Sequence, residues 1–465
     1  MSDWLAAARA LRQAEAMAEA EAVLAEAVAA APGDAQAAFL YAQIRYEQGY
    51  PAADLFAHAL ALASSAPGAL APDNTLLAPG SREALRNLAL AEASEGRMAA
   101  AQQRLAAALA AAPDWLEGQR VLASLRYTGG DAVEYDAGYR AALARLPAHA
   151  GLWLGWFACI AQRRDWPRAA AVLDAAGRAL GETKGLLAAR LFLAGESGDA
   201  AASAALLARA EGLNDDFVAM ARLRHHLRRR AYGEALAVAL PLTATRMAGQ
   251  VWPYVSSLWR LTGDARAAWL DGDPPYVGVY DTDLTPTELA ALAEALRGLH
   301  LAQLPYAEQS VRGGTQTDRS VLLRHEPIFQ RTRAALMAAV RAHVAALPPA
   351  DPAHPLLGRA RTPLALAGSW SVRLGAGGFN VTHSHPLGWL SSAFYVSLPA
   401  APGPAPAGHF HYGAPPPELD LPLAPYATLA PREGQLVLFA STMWHGTVPF
   451  AAGERLNIAF DIVPA

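Results

Sequence analysis

A helix-turn signal returns at a nearly constant interval through the first 270 residues and constrains the fold more than any other feature. Alanine-rich segments, which favour helices, follow most of these turns. One helical hairpin cannot bury its apolar face, so neighbouring hairpins must stack, and stacking produces a curved array with a concave surface. The turn positions, 32–35 residues apart, are Gly96, Gly130, Asp165, Gly198, Arg230 and Gly263, and Gly49 marks an earlier repeat.

A helix-turn-helix unit of about 34 residues resembles the tetratricopeptide repeat. The resemblance rests on this period, on small residues in the first helix turn, and on prolines such as Pro113 and Pro147 near the end of the second helix. It implies an all-α tetratricopeptide-like superhelix over residues 1–270. We expect its concave surface to bind a peptide or protein substrate, while a rigid spacer or a dimerisation arm remains an alternative.

Composition narrows the class of protein. A chain of 465 residues exceeds one hydrophobic core, so more than one domain is expected. The net charge is −4 and no basic excess exists, which argues against nucleic acid, and the run 222–230 is interpreted as a solvated helix face. No stretch of 18 apolar residues occurs and the N-terminus does not resemble a signal peptide, so we expect no membrane span and a cytoplasmic protein. Cys159 is the only cysteine, which excludes an intramolecular disulfide.

The chemistry is concentrated in the last ninety or so residues. His383 and His385 are separated by one residue, a spacing that places both side chains on one face of a strand. His445 follows in a second segment, and Arg455 opens an apolar run typical of a buried strand. Imidazoles suit a divalent transition metal, and a guanidinium suits bidentate binding of a carboxylate. An iron enzyme that uses 2-oxoglutarate needs this combination.

The helical repeat pattern ends near residue 271, and we predict a second domain over 271–465. Two helices are predicted there, at 285–299, opened by Thr285 and Pro286, and at 326–347. The polar segment 308–317 is predicted to be a glycine loop that either binds substrate or turns between helices. Short β-like segments suggest an antiparallel jelly roll with flanking helices. They are predicted at 367–374, 388–398, 408–412, 434–440 and 455–463.

This second domain resembles a 2-oxoglutarate- and iron(II)-dependent oxygenase of a bacterial type that is fused to tetratricopeptide repeats. The resemblance spans about residues 275–465, with its motifs in order and sensibly spaced. It implies a double-stranded β-helix fold, with iron(II) as cofactor and 2-oxoglutarate as cosubstrate. The matching segments are 309–317, 380–386, 390–396, 434–441, 444–445 and 455–460.

The resemblance also implies roles for individual residues. His383 and His445 would be strand-borne iron ligands, and Arg455 would bind the far carboxylate of 2-oxoglutarate. Asn457, two residues further on the same strand face, would add a hydrogen bond to that carboxylate. Tyr395 and Ser391 are further candidates for the cosubstrate pocket.

One position departs from the family. The usual facial triad contains a carboxylate, but the residue two after His383 is His385. Either His385 is the third ligand, which we favour, or it lies behind the ligands and water completes the site. Asp461 is disfavoured as a substitute ligand because it lies well along the last strand. The second pair, His409 and His411, would reach the site from a neighbouring strand but is explained more simply by strand pairing.

Three functions remain open at this point. The first is an oxygenase that couples 2-oxoglutarate decarboxylation to hydroxylation of a second substrate recruited by the repeats. The second is a cupin-like dioxygenase with three histidines that does not use 2-oxoglutarate, for which Arg455 would have no purpose. The third is a non-catalytic repeat scaffold that carries a degenerate barrel.

Overall fold

The computed structural model describes residues 3–65, 79–213 and 215–464. Its first part is helical, and the helices pair into successive hairpins, which confirms the predicted repeat region. They are α1 (Asp3–Gln13), α2 (Met17–Ala30), α3 (Ala35–Glu47), α4 (Ala53–Ser65), α5 (Pro79–Ser94), α6 (Met98–Ala111), α7 (Leu116–Thr128), α8 (Ala137–Arg145), α9 (Ala150–Ala161), α10 (Trp166–Leu180), α11 (Lys184–Ser197), α12 (Ala200–Arg209), α13 (Asp216–Arg228), α14 (Tyr232–Leu242), α15 (Ala248–Thr262) and α16 (Arg266–Asp271).

The turn inside each hairpin contains a residue with left-handed backbone conformation, and this explains the period in the sequence. The φ angles of these turn residues lie between 56° and 103°. Glycine tolerates this conformation best, yet Arg164 and Arg230 adopt it in two turns. The predicted marker Asp165 instead caps α10, where its carboxylate accepts a hydrogen bond from the backbone N–H of Arg168 at 3.2 Å. The left-handed residues are Glu15, Gly49, Gly96, Gly130, Arg164, Gly198, Arg230 and Gly263.

The chain forms two compact units, and the boundary between them lies within α9. The first comprises Met1–Cys159, Gly298–Ala307 and Thr317–Arg331. In it the later segments pack on the repeats: the Tyr50 hydroxyl donates to Glu326 Oε2 at 2.8 Å, and the Gln303 N–H donates to the Thr128 carbonyl at 2.8 Å. The second unit comprises Ile160–Arg297, Glu308–Gln316 and Thr332–Ala465. The change from helix to sheet follows α16, and a domain boundary at 270/271 stays a prediction.

Two helices follow the repeats, as predicted: α17 (Pro286–Arg297) and α18 (Pro327–Ala346). At the start of α17 the Glu288 N–H donates to Thr285 Oγ1 at 3.2 Å, and the Thr285 N–H donates to Glu288 Oε2 at 2.7 Å. This reciprocal pair is a capping box, which satisfies two N–H groups that the helix itself leaves unpaired.

The remaining residues form two antiparallel sheets whose facing sides build one core, which confirms the predicted jelly-roll domain. Tyr395 and Phe439 from the larger sheet pack with Phe410 and Tyr412 from the smaller one. The larger sheet has the order β1-β7-β4-β9-β3-β2 and the smaller β6-β5-β8. The strands are β1 (Val277–Asp281), β2 (Val311–Gln316), β3 (Leu364–Asn380), β4 (Leu390–Ser397), β5 (Phe410–Tyr412), β6 (Ala427–Leu429), β7 (Gln435–Ala440), β8 (His445–Thr447) and β9 (Arg455–Pro464).

The segment 308–317, expected to be a loop, instead contains the edge strand β2, which pairs with β3. Its two glycines serve close backbone approach. A Cβ atom on Gly314 would lie 2.2 Å from the Arg373 carbonyl oxygen, and Gly313 has a φ of 68° beside a register shift. In a sequence, glycine commonly indicates a turn, but here it permits the backbones of β2 and β3 to approach closely.

Candidate active site

Three histidines converge where the segment that follows β3 meets β8 of the smaller sheet. His445 is the first residue of β8, and His383 pairs with it through two backbone hydrogen bonds of 3.0 Å. His385 follows in the segment between β3 and β4, where its N–H donates to the Ser441 carbonyl at 2.8 Å. His383 and His385 were expected on a regular strand, but only an isolated bridge forms at His383. One ring nitrogen from each of the three lies within 4.8 Å of the others.

Each of the three rings is anchored through its Nδ1 atom. His383 Nδ1 lies 2.8 Å from the Val381 carbonyl, and His445 Nδ1 lies 3.0 Å from the Met443 carbonyl. A carbonyl oxygen only accepts, so both Nδ1 atoms must carry the proton. His385 Nδ1 likewise faces a carboxylate, that of Asp461, at 2.7 Å. In the neutral form all three rings therefore direct an unprotonated Nε2 away from these anchors.

The free Nε2 atoms face one another. His383 Nε2 and His385 Nε2 are 3.0 Å apart. Because both Nδ1 atoms donate elsewhere, this close contact opposes two lone pairs unless a cation lies between them. Burial lowers the pKa of His383 to about 3, with His385 adding to the shift, and burial also holds the pKa of His445 well below its usual value. Imidazole nitrogens gathered in this way suit a transition metal that prefers imidazole.

Asp461 supports His385 from behind. Its two carboxylate oxygens lie 2.7 and 2.9 Å from His385 Nδ1, and its Oδ1 atom accepts a hydrogen bond of 2.6 Å from the Ser391 hydroxyl. Ser391 Oγ is also 2.8 Å from Ser441 Oγ. A carboxylate in this position fixes the tautomer of a metal-binding histidine and raises its basicity. The negative charge missing from the three-histidine set thus lies one hydrogen bond away.

We expect Asp461→Asn to weaken iron(II) binding by about 10- to 100-fold, the usual effect of losing such a supporting carboxylate. The amide keeps the shape of the side chain but removes the charge that polarises His385. Competitive titration of the metal-free protein with iron(II) measures the effect. Asp281→Asn, at an exposed carboxylate paired with Arg432, is the matched control. An affinity for Asp461→Asn within twofold of the wild type would contradict this role.

A cavity of about 330 Å³ opens beside the three histidines. Along β9 the residues Arg455, Asn457, Ala459 and Asp461 all line it, because side chains two apart point to the same face of a strand. One face of β9 therefore carries both candidate carboxylate-binding residues, Arg455 and Asn457, and also Asp461, which contacts His385.

Arg455 is a buried cation to which the described residues supply no carboxylate partner. Its side chain is 2% exposed, its Nη1 donates to the Gly408 carbonyl at 2.9 Å, and its guanidinium carbon lies 4.9 Å from the centre of the Tyr395 ring. Arg455 Nε has no hydrogen-bond partner in the described chain, and neither do Tyr395 Oη and Asn457 Oδ1. Burial lowers the pKa of Arg455. A buried charge is costly unless paired, so this cavity suits the carboxylate of a ligand.

The other residues considered from sequence lie nearby in different settings. Ser391 is turned toward Asp461, and Tyr395 lies under the Arg455 guanidinium. His411 is on β5, and its Nε2 is close to where a Cβ atom on Gly446 would lie, but it is outside the group of three. The support by Asp461 was missed, although the period of β9 places it on the same face as Arg455.

The last repeat packs directly against the histidine loop 383–386. The Trp444 indole N–H donates to the Pro253 carbonyl at 3.0 Å, and the Trp444 and Tyr254 rings pack edge to face at 5.4 Å. A Cβ atom on Gly249, in α15, would lie only 2.0 Å from the Pro386 carbonyl oxygen. The backbone of α15 therefore supports the loop that carries two of the three histidines.

We expect Gly249→Ala to displace this loop, because the added carbon meets backbone atoms that must move. Such overpacking costs about 1–3 kcal/mol of stability, and we expect iron(II) affinity to fall with it. Gly233→Ala is the matched control, since Gly233 also occupies the second position of a helix, α14, and has open space around it. Thermal unfolding and iron(II) titration of both variants check this, and equal behaviour would contradict the contact.

Comparison with known proteins supports this site. Residues 368–461 match the model of a family described as "Putative 2OG-Fe(II) oxygenase", and this segment contains the three histidines, Arg455 and Asp461. The match confirms the predicted resemblance of the C-terminal domain. The family model gives iron(II) as the metal and 2-oxoglutarate as the cosubstrate, and the three-histidine group supplies a site for the metal. No curated protein matches the chain.

Some of the solved structures that are similar to parts of the chain bind 2-oxoglutarate, and another is a tetratricopeptide repeat protein. A viral collagen prolyl hydroxylase from Paramecium bursaria Chlorella virus-1, in complex with 2-oxoglutarate, is 14% identical and covers 42% of this chain and 98% of its own, with a TM-score of 0.29. HygX from Streptomyces hygroscopicus, with nickel and 2-oxoglutarate bound, is 15% identical over 42% and 84%, with a TM-score of 0.30. A tetratricopeptide repeat protein from Parabacteroides merdae is 14% identical and covers 50% of this chain and 90% of its own, with a TM-score of 0.34.

Among the described helices, none has the length and hydropathy that a membrane-spanning segment requires.

Proposed function

We propose that this protein is a 2-oxoglutarate-dependent iron(II) oxygenase that hydroxylates a peptide or protein substrate held by its helical repeats. The observation that carries the proposal is that one cavity suits both a cation and an anion. Three imidazoles whose ring nitrogens lie within 4.8 Å of one another suit a cation, and the buried Arg455 guanidinium in the same cavity needs an anion. Iron(II) and 2-oxoglutarate satisfy both needs.

Each residue has a separate task in this proposal. His383, His385 and His445 hold the metal through Nε2, because their Nδ1 atoms are committed to Val381, Asp461 and Met443. Arg455 binds the far carboxylate of 2-oxoglutarate through its unpartnered Nε, a charge-assisted contact worth about 1.5–3 kcal/mol. Asn457 donates to the same carboxylate through its amide. Tyr395 holds the guanidinium plane, and Ser391 holds Asp461.

When bound, iron(II) supplies the activation of O2 that oxidises 2-oxoglutarate to succinate and CO2 and places the second oxygen atom in a C–H bond of the substrate. Apolar rings pack against the His445 imidazole and exclude water from that side of the site. Phe439 lies 4.5 Å from the His445 ring, and Phe410 lies 6.0 Å from it. A dry site strengthens the electrostatic contacts of the metal and of the carboxylate.

A second candidate, a three-histidine dioxygenase that does not use 2-oxoglutarate, is favoured by the absence of a carboxylate among the three converging side chains. The two candidates differ in their products. Purified protein supplied with iron(II), ascorbate, O2 and 2-oxoglutarate is expected to form succinate slowly even without substrate, and proton NMR detects it. Iron binding and O2 consumption with no succinate would favour the second candidate.

A further inference from the structure

Three cavities that share lining residues extend from the cavity beside the three histidines (the iron cavity) across the last repeats of the second unit. The iron cavity shares residues with a neighbouring cavity of about 270 Å³, and this one shares residues with a third of about 430 Å³. The first pair shares His383, Ser384 and Pro386, and the second pair shares Met220, Arg224 and Gln250. The second and third cavities adjoin, and we call them together the groove, which begins at the histidine loop and extends over helices α15, α13 and α11.

One face of α13 forms the floor of this groove. Phe217, Met220, Arg224 and Arg228 line it and follow one another at the three- and four-residue spacing that places side chains on a single helix face. The eleven residue steps from Phe217 to Arg228 correspond to about 16 Å along a helix. An extended peptide covers this distance with about five residues.

The far end of the groove is apolar and partly open to solvent. Phe192, Phe217, Met220 and Met247 line it. Phe217 is 56% exposed, and Leu387, at the mouth of the iron cavity, is 90% exposed. Large apolar side chains exposed beside a groove mark a surface that binds a partner. The two ends of the groove thus carry apolar contacts.

The middle of the groove carries a guanidinium, that of Arg228, for which the described residues supply no carboxylate partner. Arg164 pairs with Glu418, and Arg224 pairs with Glu196. Arg228 lies between them, and its described partners are the backbone carbonyls of Gly195 and Glu418. Burial lowers the pKa of Arg228, and the nearby Arg224 lowers it further. This part of the groove favours an acidic group of the ligand.

We propose that the groove binds an extended peptide segment of the substrate, with an acidic residue at Arg228 and an apolar residue about five positions further, at Phe217. The residue to be hydroxylated then enters the iron cavity beside Leu387. This inference rests on the proposed function and adds the chemistry of the substrate. A small metabolite would not reach from the histidines to Phe217, whereas a peptide matches both the length and the order of the contacts.

Selection from a random dodecapeptide library tests the proposal. The 465-residue chain, loaded with Mn(II) and 2-oxoglutarate without O2, is the target, and fluorescence polarisation measures the affinity of the enriched peptides. We expect these peptides to share an acidic and an apolar residue four to six positions apart. Changing the acidic residue to its amide should weaken binding about tenfold, and Arg228→Gln protein should no longer distinguish the two peptides. Phe217→Ala should remove the preference for the apolar residue.

Arg229→Gln is the matched control, because Arg229 directly follows Arg228 but is exposed and does not line the groove. It should bind as the wild type does. Enriched peptides without an acidic residue, an Arg228→Gln protein that still discriminates, or no enriched peptide would each overturn the proposal. The acid-to-amide change in the peptide needs no protein variant. Because binding is measured without turnover, a protein that binds these peptides but forms no succinate would contradict the oxygenase function and leave the groove intact.

Discussion

His445→Ala is expected to abolish specific iron(II) binding, with a loss of affinity of more than about 100-fold, beyond the usual effect of removing a supporting partner. His445 is 6% exposed, and its Nδ1 is held by the Met443 carbonyl, so its Nε2 is fixed in place for a ligand. Without it, two imidazoles remain, too few for a facial triad. Isothermal titration of the metal-free protein with iron(II), under anaerobic conditions, measures the change.

His411→Ala is the control for this variant. His411 lies on β5 beside Gly446, and burial lowers its pKa, but it is outside the group of three histidines. Its loss should leave iron(II) affinity within a few fold of the wild type. If His411→Ala lost the metal as His445→Ala does, or if His445→Ala kept it, the assignment of the three ligands would be wrong.

Arg455→Gln has the second large effect. It is expected to weaken 2-oxoglutarate binding, while the unfolding temperature of the ligand-free protein stays the same or rises. Loss of a charge-assisted contact of about 1.5–3 kcal/mol should weaken 2-oxoglutarate binding by about 10- to 150-fold. The ligand-free variant should unfold at the same or a higher temperature, because no carboxylate of the described residues compensates the desolvation of the buried guanidinium. Thermal unfolding with and without 2-oxoglutarate, in the presence of Mn(II), measures both quantities.

The control is Arg373→Gln. Arg373 lies on β3 opposite Leu456, is 41% exposed and pairs with Glu454. This variant should be stabilised by 2-oxoglutarate as the wild type is. Equal stabilisation of Arg455→Gln by 2-oxoglutarate would show that another group binds the carboxylate and would remove the argument for the cosubstrate.

The repeats were predictable because each hairpin needs one residue of left-handed backbone conformation. Gly96, Gly130, Gly198 and Gly263 are visible in the sequence for this reason. Two turns use arginine instead: Arg230 was found from the period, whereas the marker at Asp165 was displaced by one residue from Arg164. The strands β3, β4, β7 and β9 were predicted because their apolar runs are long, whereas β2 was hidden by glycines that serve close backbone contact.

The sequence was sufficient to predict the candidate residues of the site, but not the hydrogen bonds that connect them. The spacing of His383, His385, His445 and Arg455 indicated a metal and a carboxylate. It did not indicate the hydrogen bond from His385 to Asp461, because that contact joins residues 76 positions apart. The basic run 222–230 was interpreted as a solvated face, yet Arg224 and Arg228 line a groove whose existence depends on how three repeats pack beside the histidine loop.

Anaerobic titration of the protein with iron(II) and then with 2-oxoglutarate tests the central claim most directly, because the chelate between the two has a weak visible charge-transfer band. We expect the band to appear at one equivalent of each, to be absent in His383→Ala and to require far more 2-oxoglutarate in Arg455→Gln. Iron binding without the band would contradict the use of 2-oxoglutarate and favour the three-histidine dioxygenase. No iron binding at all would leave a repeat scaffold with a degenerate barrel.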